Sequence, residues 1–201
     1  MKISTLRALF RHRRQIKSLI SIHLYFLEHT DQSFWGSISG EDKTGIIENT
    51  KKAAAYPGPI VEIGALFGFT TQLIATHKPR DKALIAVENF IWNPFLLPPR
   101  HHQSFTERAL YYCTKELNTQ IFDGSNELFY NSYKGEKPAM VFIDADHTYE
   151  GVKTDIAWAR KTRVPIISGH DYCDVHPGVR RAVDEAFGEN IVVHGSVWTA
   201  T

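Results

Sequence analysis

Val61-Glu62-Ile63-Gly64-Ala65-Leu66-Phe67-Gly68-Phe69-Thr70 is the stretch on which the fold turns. An apolar run over residues 60–63 reads as a buried strand. Glycine follows, and then a helical pattern over residues 70–77. A strand, a tight glycine turn and a helix open a parallel α/β sheet.

The same alternation continues on both sides. Residues 44–55 read as a short helix, ended by Tyr56-Pro57-Gly58-Pro59. Further strands are expected over residues 83–87, 119–122, 139–143 and 164–167. Helices are expected over residues 104–117, 126–133, 149–161 and 178–187, with a Pro-rich loop over 92–99. Residues 191–193 and 196–200 flank Gly195 and read as a closing hairpin. The expected fold is α/β, Rossmann-like and doubly wound. Its seven-stranded, mostly parallel sheet ends in an antiparallel hairpin. Residues 5–28 space their apolar side chains as a helix does, and residues 30–43 read as a polar linker. The expected division is therefore an N-terminal helical extension and linker, 1–43, and a main domain, 44–201.

In such sheets a ligand sits beyond the carboxyl ends of the strands. Here those ends read Glu62–Gly64, Glu88–Asn89, Asp123-Gly124-Ser125, Asp144-Ala145-Asp146-His147 and Gly169-His170-Asp171. Strand after strand ends in an acid, which a random loop would do only sometimes.

Composition narrows the function. A net charge of +1 gives no field to recruit nucleic acid or an anionic membrane. No run reaches the ~18 apolar residues of a membrane span. Arg7, Arg11, Arg13 and Arg14 interrupt the N-terminal apolar residues, which makes a poor signal peptide. Cys113 and Cys173 lack metal-ligand spacing and read as thiols of a reducing compartment. A soluble cytoplasmic protein is expected, and the N-terminal helix is a candidate for pairing two copies.

The glycine loop excludes phosphate cofactors. A dinucleotide fingerprint starting at Gly64 needs glycine where Leu66 and Phe69 stand. A Walker loop needs a lysine that Gly68-Phe69-Thr70 lacks. An acid at the loop's start suits a cationic amino group, and helix N–H groups suit a carboxylate. Glu88 follows Gly64 at about the 20-residue separation expected of a ribose-binding acid. S-adenosylmethionine has all three features and no phosphate.

Glu62-x-Gly64-x-x-x-Gly68-x-Thr70 resembles motif I of class I methyltransferases. The segment Phe142-Ile143-Asp144-Ala145-Asp146-His147-Thr148-Tyr149-Glu150-Gly151-Val152 and the segment Gly169-His170-Asp171-Tyr172 resemble the signatures of methyltransferase type 24. That subgroup includes small-molecule O-methyltransferases and cephalosporin-hydroxylase-like proteins. The resemblance covers about residues 60–201. It implies S-adenosylmethionine as cofactor, with Glu62 and Gly64 at the methionine end and Ala65, Gly68 and Thr70 also in the cofactor set. It implies Glu88 at the ribose and Asp123, Gly124 and Ser125 beside the adenine, with Asp144 and His147 completing the cofactor set. A hydroxylated small molecule is the implied acceptor.

Methyl transfer needs an aligned nucleophile and a group to take or loosen its proton. Asp144, His170 and Asp171 are the catalytic candidates, at adjacent strand ends. In related metal-dependent enzymes acids at these places bind Mg²⁺, so the same three residues are candidate ligands of Mg²⁺ or another divalent metal. His170 stands where an acid is usual. Mg²⁺ prefers oxygen and imidazole suits Zn or Fe, so a metal site and a metal-free site with His170 as base both stay open. Asp146 or Thr148 can cap the next helix. His176 reads as structural, His101 and His102 as part of a solvated loop or substrate lid, and Trp92, Phe95, Tyr111 and Tyr112 as packing. Two other functions remain: a module that holds the cofactor without transfer, and a nicotinamide-dependent oxidoreductase, which Leu66 and Phe69 disfavour.

Overall fold

The computed structural model describes residues 3–28 and 38–201. Seven strands form one sheet: β1 (Ile60–Ile63), β2 (Leu84–Glu88), β3 (Thr119–Asp123), β4 (Met140–Ile143), β5 (Ile166–Gly169), β6 (Val192–His194) and β7 (Val197–Ala200). Their order is β3-β2-β1-β4-β5-β7-β6. The first five pair in parallel, and β7 runs antiparallel to both β5 and β6. This is the Rossmann-like sheet with a closing hairpin that the sequence implied.

The described helices are α1 (Ile3–Arg11), α2 (Arg13–Glu28), α3 (Gly40–Ala53), α4 (Phe69–His77), α5 (Pro99–Ala109), α6 (Tyr111–Glu116), α7 (Asn126–Ser132), α8 (Tyr149–Lys161) and α9 (Pro177–Phe187). None of the described helices is long and apolar enough to cross a membrane.

Strand side chains alternate between the two faces. Ile60, Leu84, Met140, Phe142 and Ile166 face Ile46, Ile74 and Leu110 of the helical layer on one side. Val61, Ile63, Val141 and Ile143 face Phe129, Val152, Ile156 and Val179 on the other. The central strands β1, β4 and β5 are thus buried on both sides, which is why they read as nearly unbroken apolar runs, while the edge strand β3 is partly exposed.

Three expectations need correction. The helix expected over 44–55 begins at Gly40, inside the expected linker. Ser39 caps it, and Asp42 completes a capping box. The rest of that linker, residues 30–37, lies outside the described residues. The helix expected over 104–117 begins at Pro99, because proline is favoured in a first turn, and it breaks at Leu110 into α5 and α6. The single N-terminal helix is two, with the break at His12, and Leu6, Leu9, Phe10 and Ile20 are exposed.

Helix α3 is tied to the sheet by buried polar contacts. Asn49 Nδ2 donates to Thr199 Oγ1 at 2.7 Å and to Ser168 Oγ at 3.2 Å. Asp42 accepts from the Ser196 backbone at 2.6 Å. These bonds hold the start of α3 beside the carboxyl end of β5.

Candidate active site

The strand order reverses across β1 and β4, and a cavity of about 1200 Å³ opens at their carboxyl ends. Gly64, Ala65, Thr70, Glu88, Ser125, Asp144, His147, His170 and Asp171 all line it. Glu62, Gly68, Asp123 and Gly124 do not. The two groups differ for local reasons.

Glu62 lies on the Ile60 face of β1, so it points under α4 and is fully buried. Thr71 Oγ1 donates to its Oε2 at 2.5 Å, while Oε1 is buried without a partner. Burial, with the nearby Asp144 and Glu88 carboxylates, pushes Glu62 up to about 8. Gly68, at φ +87°, precedes α4, and an added Cβ would strike Leu110. Asp123 is exposed at a sheet edge, where Gln103 Nε2 donates to it at 3.3 Å. Ser125 caps α7 by accepting from Leu128 N.

Glu88 holds the glycine loop. Its Oε2 accepts from Leu66 N at 2.7 Å and its Oε1 from Phe90 N at 2.9 Å. Both donors sit in the left-handed region, at φ +48° and +59°. The Leu66 carbonyl is gripped in turn by Thr106 Oγ1 at 2.6 Å and by His102 Nε2 at 2.9 Å. His102 is therefore fully buried, not part of a solvated loop, whereas His101 is exposed. Trp92 and Phe95 line the cavity instead of only packing, and Tyr111 and Tyr112 are exposed. No side chain caps α4, so its first-turn N–H groups are left for a ligand in the cavity.

The opposite wall is ionic. His170 is buried, with Nδ1 at 3.4 Å from Asp171 and 3.7 Å from Asp144. Its Nε2 lies 3.6 Å from Asp42, a residue the sequence reading missed. Burial opposes charge on this imidazole, but Asp144, Asp171 and Asp42 outweigh it and raise His170 to about 9. His147 Nε2 stands 2.9 Å from Asp171 and 3.7 Å from Asp144. Asp144 first and then Asp171 raise it to about 10. Burial pushes Asp144 up, yet the two imidazoles bring it below the usual carboxylate range. Asp146 accepts from Thr148 N and Oγ1, and Thr148 caps α8.

Geometry therefore unites a loop with free helix N–H groups, a buried acid beneath it, and an acid–imidazole cluster across one cavity. A family model described as a methyltransferase domain matches residues 61–172. No curated protein matches the sequence. Among solved structures, an O-methyltransferase from Bacillus cereus in complex with SAH is 15% identical. The alignment covers 90% of this chain and 89% of that one, with a TM-score of 0.61. The O-methyltransferase TomG from Streptomyces achromogenes, in complex with SAM, is 16% identical, with 91% and 87% covered and a TM-score of 0.58. A TDP-rhamnose 3'-O-methyltransferase of calicheamicin biosynthesis is 14% identical, with 83% and 81% covered and a TM-score of 0.60. At these identities the likeness is one of fold.

Proposed function

The chain belongs to the type 24 methyltransferase family, and we propose that it moves a methyl group from S-adenosylmethionine to a hydroxyl of a small metabolite. The observation that carries this is the acid–imidazole cluster facing the glycine loop across one cavity. The similar folds named as a TDP-rhamnose 3'-O-methyltransferase and as an O-methyltransferase of tomaymycin synthesis support oxygen as the acceptor.

The residues suit the cofactor. Gly64, Ala65, Thr70 and the start of α4 form the methionine end, and Glu88 and Ser125 stand toward the nucleoside. Glu62 lies beneath the loop, outside the cavity lining, and braces it through Thr71. Bound there, S-adenosylmethionine supplies an electrophilic methyl carbon and a thioether leaving group. Asp144 orients the acceptor hydroxyl, and Asp171 takes its proton as the oxygen–methyl bond forms and the methyl–sulfur bond breaks. His170 is charged at neutral pH, so it serves as their counter-ion and holds them in place; it is not itself the base.

The three residues Asp144, His170 and Asp171 place one donor atom each within 4.8 Å of one another. Carboxylates flank both ring nitrogens of His170, and its side chain is 2% exposed. An imidazole walled in this way is a poor ligand for an arriving cation, and we read this inner triad as metal-free.

The test is methyl transfer from labelled S-adenosylmethionine to a panel of hydroxylated sugars and phenols. Label should appear on oxygen, and Asp171→Asn should lose roughly 10²–10⁴-fold in rate while S-adenosylhomocysteine still binds in calorimetry. Cofactor binding with no transfer across the panel would instead favour a non-catalytic module. A nicotinamide signal without an S-adenosylhomocysteine signal would overturn the family reading of the loop.

A further inference from the structure

A second cluster lies just outside the inner triad and shares one residue with it. The Nε2 of His147 is 2.9 Å from Asp171 Oδ2, and the Nε2 of His176 is 3.8 Å from the same oxygen. The donor atoms of all three lie within 4.8 Å of one another. The two imidazole rings meet at 4.4 Å between centroids, tilted by 49°.

This arrangement is built by the backbone. Asp171 sits at φ +60°, a conformation that costs an L residue about 1 kcal/mol or more. The turn that follows is pinned by three bonds: Tyr172 N to Ser196 O, Cys173 N to Asp171 O, and His176 N to Cys173 O. These fold the chain back so that His176 returns to Asp171. His176 occupies the cap position of α9, yet its side chain makes no capping bond and is turned to the carboxylate. Gly178 then lets α9 close on the other histidine. A Cβ there would lie 2.6 Å from His147 O and 2.7 Å from Tyr149 N. Without that close approach the two rings could not share one oxygen.

Two imidazole nitrogens and one carboxylate oxygen make a donor set for a borderline transition-metal dication. Mg²⁺ prefers all-oxygen surroundings. Ligand atoms around tetrahedral Zn²⁺ stand roughly 3.3 Å apart, given bonds of ~2.0 Å. The observed separations of 2.9 and 3.8 Å bracket that value. The outer face of the site is open, with the His147 and His176 side chains 36% and 31% exposed, while the His147 Nε2 atom itself faces inward and is buried. The oxygen Oδ1 of Asp171 stays with His170, so the outer site keeps the His170–Asp171 contact, and the cation takes the place of the proton on His147 Nε2.

We propose that His147, Asp171 and His176 form a binding site for one borderline dication of the Zn²⁺ or Co²⁺ type, at the edge of the methyl-transfer cavity. The proposal does not depend on turnover, and its test reads the metal directly. Untagged, chelator-treated protein is titrated with Co²⁺ and followed by visible d–d absorption, then by competition with Zn²⁺ and with Mg²⁺. One equivalent should bind, Zn²⁺ should displace it, and Mg²⁺ should not. His176→Ala and His147→Gln should each weaken Co²⁺ by at least roughly tenfold, the lower bound for a group supporting a metal. Asp144→Asn removes a carboxylate 3.7 Å from His147 Nε2 that is not one of the three ligands, so it should weaken Co²⁺ less than either histidine variant does. Zn²⁺ should raise the melting temperature of the wild type and not that of His176→Ala, and circular dichroism reports the fold of each variant. Absence of a Co²⁺ signal, displacement by Mg²⁺, or loss in Asp144→Asn with retention in His176→Ala would each overturn the outer site.

Discussion

The two walls of the cavity solve the same problem in opposite ways. The β1–β2 wall keeps charge scarce: Glu62 is buried, bonded by one hydroxyl and raised to about 8, and Glu88 spends its oxygens on the backbone of Leu66 and Phe90. The β4–β5 wall concentrates charge and balances it: His147 and His170 are raised while Asp144 is lowered. A wall whose exposed carboxylate is committed to the loop backbone suits a cofactor that must be admitted and released. A compensated ionic wall holds side chains rigidly where a proton must move.

The strongest way to break this contrast is to unbalance the ionic wall from behind. Asp42 accepts from Ser39 N, Ser196 N and Ser196 Oγ, and it faces His170. Burial pushes this carboxyl up, but Ser196 and Ser39 hold it below its usual range. Asp42→Ala strands those donors and removes one of the anions facing the His170 imidazolium. It should lower unfolding free energy by about 3–5 kcal/mol in urea titration, as for other broken buried pairs. A loss below ~1 kcal/mol would mean that His170 needs no anion at Nε2, and the walls would then differ less than the distances suggest.

Residue types at strand ends were legible because a parallel strand is apolar throughout, so its polar exit stands out. Gly64, Glu88, Asp144, His170 and Asp171 were found that way, and the structure brings all five to one cavity. Glu62 was placed in the cavity by motif resemblance, although period-two alternation with Ile60 puts it under α4. Asp42 was missed because Ser39 to Asp42 was read as linker, though its spacing is that of a capping box. His102 and Thr106 left no local signal. Their partner is the Leu66 carbonyl, and only the docking of α5 against the loop creates the contact. His176 was read as structural, since its approach to Asp171 depends on how closely α9 packs on the backbone at His147.

The β1–β2 wall can be probed through pH. The unfolded Glu62 carboxyl titrates near 4.5 and the folded one near 8. A raised folded value means stability that is fully present below pH 4.5 and lost as pH climbs to 8. Between about pH 5.5 and 7 this group alone should remove about 1.4 kcal/mol per pH unit, the slope falling to roughly half of that at pH 8. Glu62→Gln keeps an acceptor for Thr71 and cannot ionise, so that slope should vanish, read from urea midpoints across the range. An unchanged slope would place the ionised carboxylate in the resting protein and move Glu62 to the charged class of the opposite wall.

A last substitution separates two roles for Glu88, which supports the loop from below and lines the cavity above. Glu88→Gln offers one oxygen and one amide group to two backbone donors, so either Leu66 N or Phe90 N loses its partner. Hydrogen bonds to a charged group contribute about 1.5–3 kcal/mol, and S-adenosylhomocysteine affinity should fall roughly 10- to 100-fold. If Glu88 acts by shaping the loop, amide hydrogen exchange at Leu66 and Phe90 should speed up in the ligand-free variant. The same affinity loss with unchanged exchange would assign the effect to ligand hydroxyls instead, and the β1–β2 wall would then owe its shape to Thr106 and His102 on the Leu66 carbonyl.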